Sequence, residues 1–294
     1  MQLSYKQPVK VFSVLVMILL SAIFLFGCAE RPVVSKAGEL VVDVIDVGQG
    51  DAILIRTNGE TVLVDSGDVP ARDKLVAYIK KQGIQELDKV IITHPHADHL
   101  GGMKAVFDNF PVKQTYDSGQ TTTTSLYRQY LTTIKKKKIP FAVMTGGDKI
   151  ELGGGAVLQI LSPPKPLLEG KAALNNNSIV AKLIYGNFSM LLTGDAEQEA
   201  EAVMVNEFSG QLKSTVLKSG HHGSNTSSSE DFLAKVAPEA AVISAGEGNE
   251  YHHPHPSTLK KYQAMKIKIY RTDKDGTVEI RTDGQGYSIS KERN

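Results

Sequence analysis

Cysteine and net charge are what this chain has least of. Cys28 is the only cysteine among 294 residues, which excludes an internal disulfide and any metal site built from thiolates within the body of the chain. The 33 basic and 32 acidic side chains nearly cancel, so the chain lacks the strong positive field that usually marks nucleic-acid binding. Long apolar runs are also scarce, and the one that stands out occupies residues 11–26.

This apolar run has the character of a leader. It follows Lys6 and Lys10 and is about as long as a signal-peptide core, but it is short for a bilayer span of ~20 residues. It ends in the letters LFGC at 25–28. A small residue before a lone cysteine resembles a bacterial lipobox, and the resemblance implies cleavage before Cys28 and lipid on its sulfur. An uncleaved anchor helix is the alternative, and either arrangement places the body outside the cytoplasm at the membrane surface.

The remaining chain predicts one domain. We divide the sequence into a leader at 1–27, a polar tether at 28–38 and a domain at 39–294, since no linker rich in proline, glycine or serine interrupts the last. Two strand-rich halves, each carrying helices, predict an α/β fold in which two sheets pack face to face with helices outside, an αββα sandwich. Helices are predicted at 71–81, after Gly101-Gly102, and at 125–137, 197–208, 230–236 and 257–265. Strands are predicted at 40–47, 52–56, 61–64, 89–93, 142–144, 157–161, 178–185, 188–193, 214–219, 240–244, 268–271, 277–281 and 287–290.

The eight histidines fall in three short clusters, at 94–99, 221–222 and 252–255. The first reads HPHADH, a density of imidazole and carboxylate groups that is typical of metal ligands. Alternate residues of an extended segment point the same way, so His94 and His96 are predicted to bind one ion, while Asp98 and His99 reach a second. Two divalent ions ~4 Å apart would lower the pKa of a shared water and clamp a phosphoryl group. A structural zinc site is the alternative, although such sites usually use cysteine.

Several blocks of the sequence resemble one family. The HPHADH loop resembles the signature of the metallo-β-lactamase superfamily. The blocks DVIDVGQGDA at 43–52, LVDSG at 63–67, LLTGD at 191–195 and LKSGHHGS at 217–224 are similar to the C-terminal hydrolase domain of ComEC-type competence proteins. No segment resembles the membrane channel of those proteins, so we expect the hydrolase domain alone on a lipid tether. The resemblance implies a first ion on His94 and His96, a second on Asp98 and His99, a bridging Asp195, a last histidine ligand at His221, and an orienting role for Asp65.

One departure from the family affects the first ion. The superfamily commonly has a third histidine for this ion, between the main motif and the bridging aspartate, and here the letters NNNS at 175–178 stand in that place. An asparagine oxygen is a harder and weaker ligand than imidazole, so manganese or magnesium becomes plausible beside zinc. A simple turn at 175–178 is the alternative interpretation.

The other two histidine clusters supply candidate catalytic groups. Of His221 and His222 we expect one to be a ligand, taken as His221, and the other, His222, to act in catalysis; the spacing leaves their order open. One of His253 and His255, taken as His253, is predicted to face the site and to donate a proton to the leaving oxygen or contact phosphate. A flexible loop on the surface is the alternative. Lys218 is expected either to meet phosphate or to be a solvated lysine at the end of a strand.

These patterns predict a hydrolase that uses two divalent metal ions, zinc or manganese. With Asp98, His222 and His253 as catalytic groups, the chain is predicted to be a phosphodiesterase or nuclease acting on DNA at the cell surface, anchored to the membrane by lipid on Cys28. Two alternatives stay open. One is hydrolysis of other envelope phosphodiesters, such as choline- or glycerol-phosphate esters, and the other is a non-catalytic DNA-binding accessory of uptake.

Overall fold

The computed structural model describes residues 1–2 and 38–293. The chain divides into two units, Met1–Val33 and Val34–Asn294, and all the described strands and helices belong to the second. The predicted leader, Cys28 and the tether as far as residue 37 lie outside the described residues, so the signal peptide, the lipid and the domain boundaries stay predictions. Among the described residues, no helix combines the length and the apolar character needed to cross a membrane.

Fifteen strands within residues 38–293 form two mixed sheets. The strands are Leu40–Val44 (β1), Ile53–Arg56 (β2), Thr61–Val64 (β3), Leu87–Ile92 (β4), Val112–Asp117 (β5), Phe141–Val143 (β6), Lys149–Glu151 (β7), Val157–Ser162 (β8), Val180–Tyr185 (β9), Phe188–Leu192 (β10), Val216–Lys218 (β11), Ala240–Ile243 (β12), Lys268–Arg271 (β13), Val278–Thr282 (β14) and Tyr287–Lys291 (β15). The first sheet has the order β15-β14-β1-β2-β3-β4-β5-β6 and the second the order β13-β12-β11-β10-β9-β8-β7. Each sheet has one parallel half, β3 to β6 in the first and β10 to β13 in the second.

Nine α-helices lie in residues 38–293, and six of them cover the outer faces of the two sheets. Their bounds are Arg72–Lys81 (α1), Ala97–Leu100 (α2), Met103–Asn109 (α3), Ser125–Lys137 (α4), Ala173–Asn176 (α5), Gln198–Phe208 (α6), Glu230–Val236 (α7), Pro256–Ala264 (α8) and Thr272–Asp275 (α9). Apolar residues of α1, α3 and α4 pack on the first sheet, and those of α6, α7 and α8 pack on the second.

The alternation of side chains along the strands produces these layers. In β3, Val62 and Val64 point into the core between the sheets, whereas Leu63 points to the helices of the first sheet. In β10, Met190 and Leu192 face the same central core, whereas Leu191 faces the helices of the second sheet. Successive side chains of a strand point to opposite faces, so strands that are apolar at every position require cover on both sides. The result is the αββα sandwich that the sequence predicted.

The element boundaries agree with the sequence at most positions. The helices at 125–137 and 230–236 and the strand at 268–271 have the predicted limits, and most others differ by one to three residues. Two strands, β5 and β7, were not predicted. In β5 the buried positions include Thr115 and Asp117, so its sequence lacks the apolar alternation by which a strand is recognised. The segment 175–178, for which a turn was the alternative, is the end of the short helix α5 and the two residues after it.

Candidate metal centre

Four strands bring the candidate metal centre to one edge of the two sheets. In the first sheet, β3 ends just before Asp65, and the parallel β4 ends just before Thr93. In the second sheet, β10 leads to Asp195, and the parallel β11 leads to His221 and His222. Neighbouring parallel strands end at the same edge of a sheet, which is where α/β proteins place their ligand sites. The loops after these strands therefore meet and form the site.

Asp65 holds the histidine loop of the first sheet in place. Its Oδ1 accepts a hydrogen bond from the Thr93 N–H at 2.8 Å, and its Oδ2 accepts one from the Thr93 hydroxyl at 2.7 Å. The same Oδ2 is 2.7 Å from Nδ1 of His99, so Nδ1 carries a hydrogen that it donates to this carboxylate. Gly102 lets the backbone pack closely here, because a Cβ at this position would collide with the Ser66 carbonyl oxygen. These contacts are what the predicted orienting role of Asp65 requires.

Asp195 lies at the centre of the imidazoles. Its Oδ2 is 3.2 Å from Nε2 of His99 and 3.5 Å from Nε2 of His222. The same oxygen is 3.8 Å from Nε2 of His94 and 3.8 Å from Nε2 of His221. Although burial alone would raise the pKa of Asp195, the adjacent His222 and His99 hold it well below its usual value. Four imidazole nitrogens thus face one buried, ionised carboxylate oxygen.

A compact group of four ligand atoms forms one half of this centre. Asp98, His99, Asp195 and His222 each contribute one atom, and these atoms all lie within 4.8 Å of one another. The His222 Nε2 is 3.1 Å from Oδ2 of Asp98. Burial lowers the pKa of His222, but Asp195 and the other carboxylates outweigh it and raise the pKa to about 10. A field that favours a positive charge on buried imidazole also favours a divalent cation.

His94 and His96 form the other half. Nε2 of His94 and Nδ1 of His96 are 2.9 Å apart. The opposite nitrogen of His94 is 3.2 Å from the Thr93 hydroxyl oxygen, which already donates its hydrogen to Asp65, so His94 Nδ1 is the donor there. Burial lowers the pKa of both imidazoles. His94 and His96 are therefore neutral, and their facing nitrogens are close enough for one ion to replace the hydrogen between them; the shared ion stays a prediction.

The two adjacent histidines lie differently with respect to the four-atom group. The sequence favours His221 as the ligand and leaves the order open, and in the structure His222 is the one that joins this group. Its Nδ1 is 3.1 Å from the Ser244 carbonyl oxygen, a pure acceptor, so Nδ1 carries a hydrogen, while Nε2 faces Asp98. His221 sits at the margin of the group, with 22% of its side chain exposed. Spacing could not reveal this order, because it is decided by the backbone conformation of the two residues.

Lys218 differs from both expectations, since it is neither solvated nor free to meet phosphate. The side chain is fully buried, and its Nζ is 2.8 Å from Oδ2 of Asp51. The other oxygen of Asp51 is 3.5 Å from Nδ1 of His222, and the Asp51 N–H donates to the Asp98 carbonyl oxygen at 3.1 Å. The buried ion pair of Lys218 and Asp51 therefore supports the site from inside the protein. Asp51 belongs to the block DVIDVGQGDA, but a sequence has no signal for a contact across 167 positions.

An open cleft of about 310 Å³ lies above the metal cluster. Its other walls include Gln49, Asn175, Tyr251 and His253. His253 is buried by its neighbours, which lower its pKa to about 4 through burial and through the adjacent His222 and His221, and its Nδ1 has no hydrogen-bond partner. The alternative, His255, uses Nδ1 to accept the Asn225 N–H at 2.9 Å. Of these two histidines, His253 is therefore the one that faces the cleft.

The donors in the cluster fit a divalent metal ion. Oδ1 of Asp195 is buried without a hydrogen-bond partner, and Nε2 of His99, although close to Oδ2 of Asp195, forms no hydrogen bond of good geometry. Leaving a buried polar atom unpaired costs about 1–3 kcal/mol, and a bound cation would remove that cost. Imidazole nitrogen together with carboxylate oxygen is the ligand set of zinc and its neighbours.

The matches to known proteins agree with this geometry. A family model described as the metallo-β-lactamase superfamily matches residues 45–247. The chain is 35% identical over 276 residues to ComE operon protein 3 of Bacillus subtilis (strain 168), and the match covers 85% of this chain and 34% of that protein. It is 33% identical over 251 residues to competence protein ComA of Neisseria gonorrhoeae, covering 85% of this chain and 33% of that protein. The chain thus spans about a third of the length of these ComEC-type relatives.

The fold is also found among solved structures. The crystal structure of the metallo-β-lactamase fold protein YhfI from Bacillus subtilis superposes with a TM-score of 0.55 at 14% identity, covering 82% of this chain and 99% of that one. This likeness shows that the two proteins share the fold. Since the family model matches well over half of the residues, the chain belongs to the metallo-β-lactamase superfamily.

Proposed function

We propose that this chain is a metal-dependent phosphodiesterase that cleaves DNA on the outer side of the cell membrane. The observation that carries the proposal is the convergence of imidazole nitrogens on Oδ2 of Asp195 at the floor of an open cleft. The relatives' names add the biological direction, since ComA of Neisseria gonorrhoeae is a competence protein.

The residues present divide the chemistry between them. Two divalent ions, zinc or manganese, would supply Lewis acidity toward the phosphoryl oxygens and would lower the pKa of an attacking water. Asp98, His99 and His222 would hold one of these ions beside Asp195, and His94 and His96 would hold the other. Asp98, Asp195 and His222 also line the cleft. His253 lines the cleft, and because its pKa is lowered to about 4, its neutral ring would donate a hydrogen bond to the leaving oxygen.

Tyr251 favours nucleic acid over a small ester as the substrate. Its side chain is 55% exposed, and its ring stacks on His253 at a centroid distance of 5.7 Å and an interplanar angle of 25°. The loop beneath it is held by Asn249, whose amide nitrogen donates to the carbonyl oxygens of Gly246 and His253. An ordered, exposed aromatic ring at the edge of a phosphodiester cleft is a platform for an unstacked base. Single-stranded DNA presents such bases, whereas a duplex hides them.

The location of the enzyme follows from the leader. Cleavage before Cys28 and attachment of lipid to its sulfur would retain the domain at the outer surface of the membrane. The near balance of charge provides no wide basic field, so DNA would be held mainly through bound metal and stacking, with a weak dependence of binding on salt. The mass of the N-terminal peptide, taken from protein isolated with the membrane fraction, tests the lipid.

Metal reconstitution tests the function. The full chain, purified in mild detergent and stripped of metal, is given manganese, zinc or magnesium singly and is assayed on bis-p-nitrophenyl phosphate and on labelled single- and double-stranded DNA. We expect cleavage of single-stranded DNA that requires added metal and is lost in His96→Ala. His252→Asn is the matched control, because it removes an exposed imidazole from the same rim at a position with φ of 57°, which asparagine tolerates.

The other outcomes of this assay select between the alternatives. Turnover of the small ester without DNA cleavage would replace DNA with another envelope phosphodiester, such as a choline- or glycerol-phosphate ester. Metal-loaded protein that binds DNA and cleaves neither substrate would make the chain a non-catalytic accessory of DNA uptake.

A further inference from the structure

The first metal site lacks a third ligand in the segment where the superfamily commonly has a histidine. His94 and His96 supply two nitrogens, and no histidine lies between His99 and His221. A four-coordinate site that keeps one position open for water uses three protein ligands. Among the described residues, two imidazoles approach Oδ2 of Asp195 from outside the compact four-atom group. One is that of His94 itself, and the other belongs to His221.

The ring of His221 is oriented like the rings of His99 and His222, with Nδ1 held by a protein acceptor and Nε2 facing Asp195. Its Nδ1 is 3.0 Å from the Thr226 hydroxyl oxygen and 3.3 Å from Oε1 of Glu197, so this nitrogen carries the hydrogen. Its Nε2 is then a lone-pair donor that lies 3.8 Å from Oδ2 of Asp195. A carboxylate on one ring nitrogen and a metal on the other is the arrangement that fixes the tautomer and orientation of ligand histidines.

Glu197 is itself fixed. Its Oε1 accepts a hydrogen bond from the Asn175 side-chain amide at 2.7 Å, and its backbone N–H donates to the Asn176 side-chain oxygen at 3.1 Å. The asparagines that occupy the place of the missing histidine therefore contact the residue that orients His221. They support an imidazole that comes from elsewhere in the chain.

The backbone explains how two consecutive residues can both face Asp195. His221 has φ and ψ of 47° and 48°, and His222 has 54° and 25°, so both are left-handed. In an extended strand the two side chains would point to opposite faces. Left-handed conformations of residues other than glycine cost of order 1–3 kcal/mol each and persist where surrounding contacts enforce them, often at functional sites. Here the conformation turns the His222 ring toward Asp98 and the His221 ring toward Glu197. Both Nε2 atoms then lie near Oδ2 of Asp195.

We infer that the adjacent histidines are divided between the two ions, with His221 serving as the third imidazole of the first. This inference rests on the proposed metal-dependent function and assigns its ligands. The first ion is held by His94, His96 and His221, the second by Asp98, His99 and His222, and Asp195 lies between them. The first site then has three imidazoles and does not depend on an amide oxygen.

Metal content of variants tests the inference without any substrate. Metal-free full chain is saturated with manganese or zinc, freed of excess ion, and analysed for bound metal. We expect two ions for the parent chain and for His252→Asn, and one ion each for His221→Gly and His222→Gly. Glycine is used because it accepts the positive φ at both positions. A parent that holds only one ion, or a His221→Gly variant that keeps two, overturns the inference.

Pairwise combination with His96→Ala identifies which ion is lost. If His221 and His96 share an ion, the double variant still binds one ion, whereas His222→Gly combined with His96→Ala binds none. The reverse pattern overturns the assignment. Asn175 is the competing ligand, because its Oδ1 is buried, unpartnered and belongs to a residue of the cleft wall. We expect Asn175→Ala to keep both ions at saturating metal, and loss of an ion there together with full binding in His221→Gly would give the site to the amide.

A milder variant covers the case in which His221→Gly does not fold. Glu197→Gln removes the charge behind the ring and is expected to weaken the binding of one ion by about 10–100-fold, while the affinity for the other is retained. Unchanged affinity for both ions overturns the inference. If the parent binds two ions but cleaves no DNA, the proposed function fails and the ligand assignment stands.

Discussion

The buried pair of Lys218 and Asp51 provides the sharpest test of how the centre is supported. Replacing Lys218 with methionine keeps an unbranched side chain of similar length and removes the ammonium group. Asp51 then remains buried, with its Oδ2 deprived of the partner at 2.8 Å and its Oδ1 already lacking a hydrogen bond. Removing one partner of a buried ion pair typically costs about 3–5 kcal/mol. We expect the free energy of unfolding of Lys218→Met to fall by about this amount.

The assay is urea unfolding of the metal-free full chain, followed by circular dichroism. The double variant Asp51→Asn/Lys218→Met removes both charges, so it is expected to recover most of the stability that Lys218→Met loses. Lys218→Arg serves as a control for charge, since it retains the cation in a larger group. The supporting role of the ion pair is refuted if the free energy of unfolding of Lys218→Met is within about 1 kcal/mol of that of the parent. It is also refuted if the losses of the single variants Lys218→Met and Asp51→Asn simply add in the double variant.

Three further predictions concern other parts of the chain. Burial raises the pKa of Asp117 from 3.8 to about 6, so this group's contribution to stability is present at low pH and is lost as pH rises through about 6. Asp117→Asn keeps the oxygen that accepts the Gly119 N–H. At pH 7.5 it should be more stable than the parent by at most about 3 kcal/mol, seen as a higher Tm, and near pH 4 the two Tm values should match. A Tm below that of the parent at pH 7.5 would contradict this. Tyr251→Ala should lower kcat/KM for single-stranded DNA about tenfold relative to a duplex of the same sequence, with Tyr251→Phe retaining the preference; equal losses on both substrates would exclude stacking. Cys28→Ser should abolish incorporation of labelled fatty acid and leave the leader uncleaved, and a labelled variant would exclude lipid at this position.

The architecture could be predicted because local sequence patterns specify most of its strands and helices. Strands such as β3 and β10 carry apolar residues on both faces, which requires cover on both sides, and the loop at 94–99 carries its candidate ligands within six consecutive positions. The helix at 125–137 was placed correctly because its apolar spacing and the lysine run at its end are both local signals. In β5, by contrast, polar residues such as Thr115 and Asp117 are buried by tertiary packing, so no local pattern marks the strand.

The parts of the site that escaped prediction depend on contacts between distant segments. Lys218 was expected at the surface or at a phosphate, but Asp51 reaches it from the other sheet. The order of His221 and His222 depends on two successive left-handed residues, for which the letters GHHG give no indication. Glu197 lies two positions after Asp195, and yet only the fold shows that it meets His221. Residue types could therefore be assigned to the centre, whereas their partners could not.

The most direct test of the proposed metal centre is the cleavage rate of labelled single-stranded DNA by the manganese- or zinc-loaded full chain, compared with that of Asp195→Asn prepared identically. Asp195 faces all four imidazoles, so its charge should be indispensable to the centre. We expect cleavage by the parent and a loss of at least about a hundredfold in the variant, on the scale of removing a group that acts in the transition state. Equal rates in the two proteins, or no cleavage by a parent shown to hold metal, would contradict the proposed function.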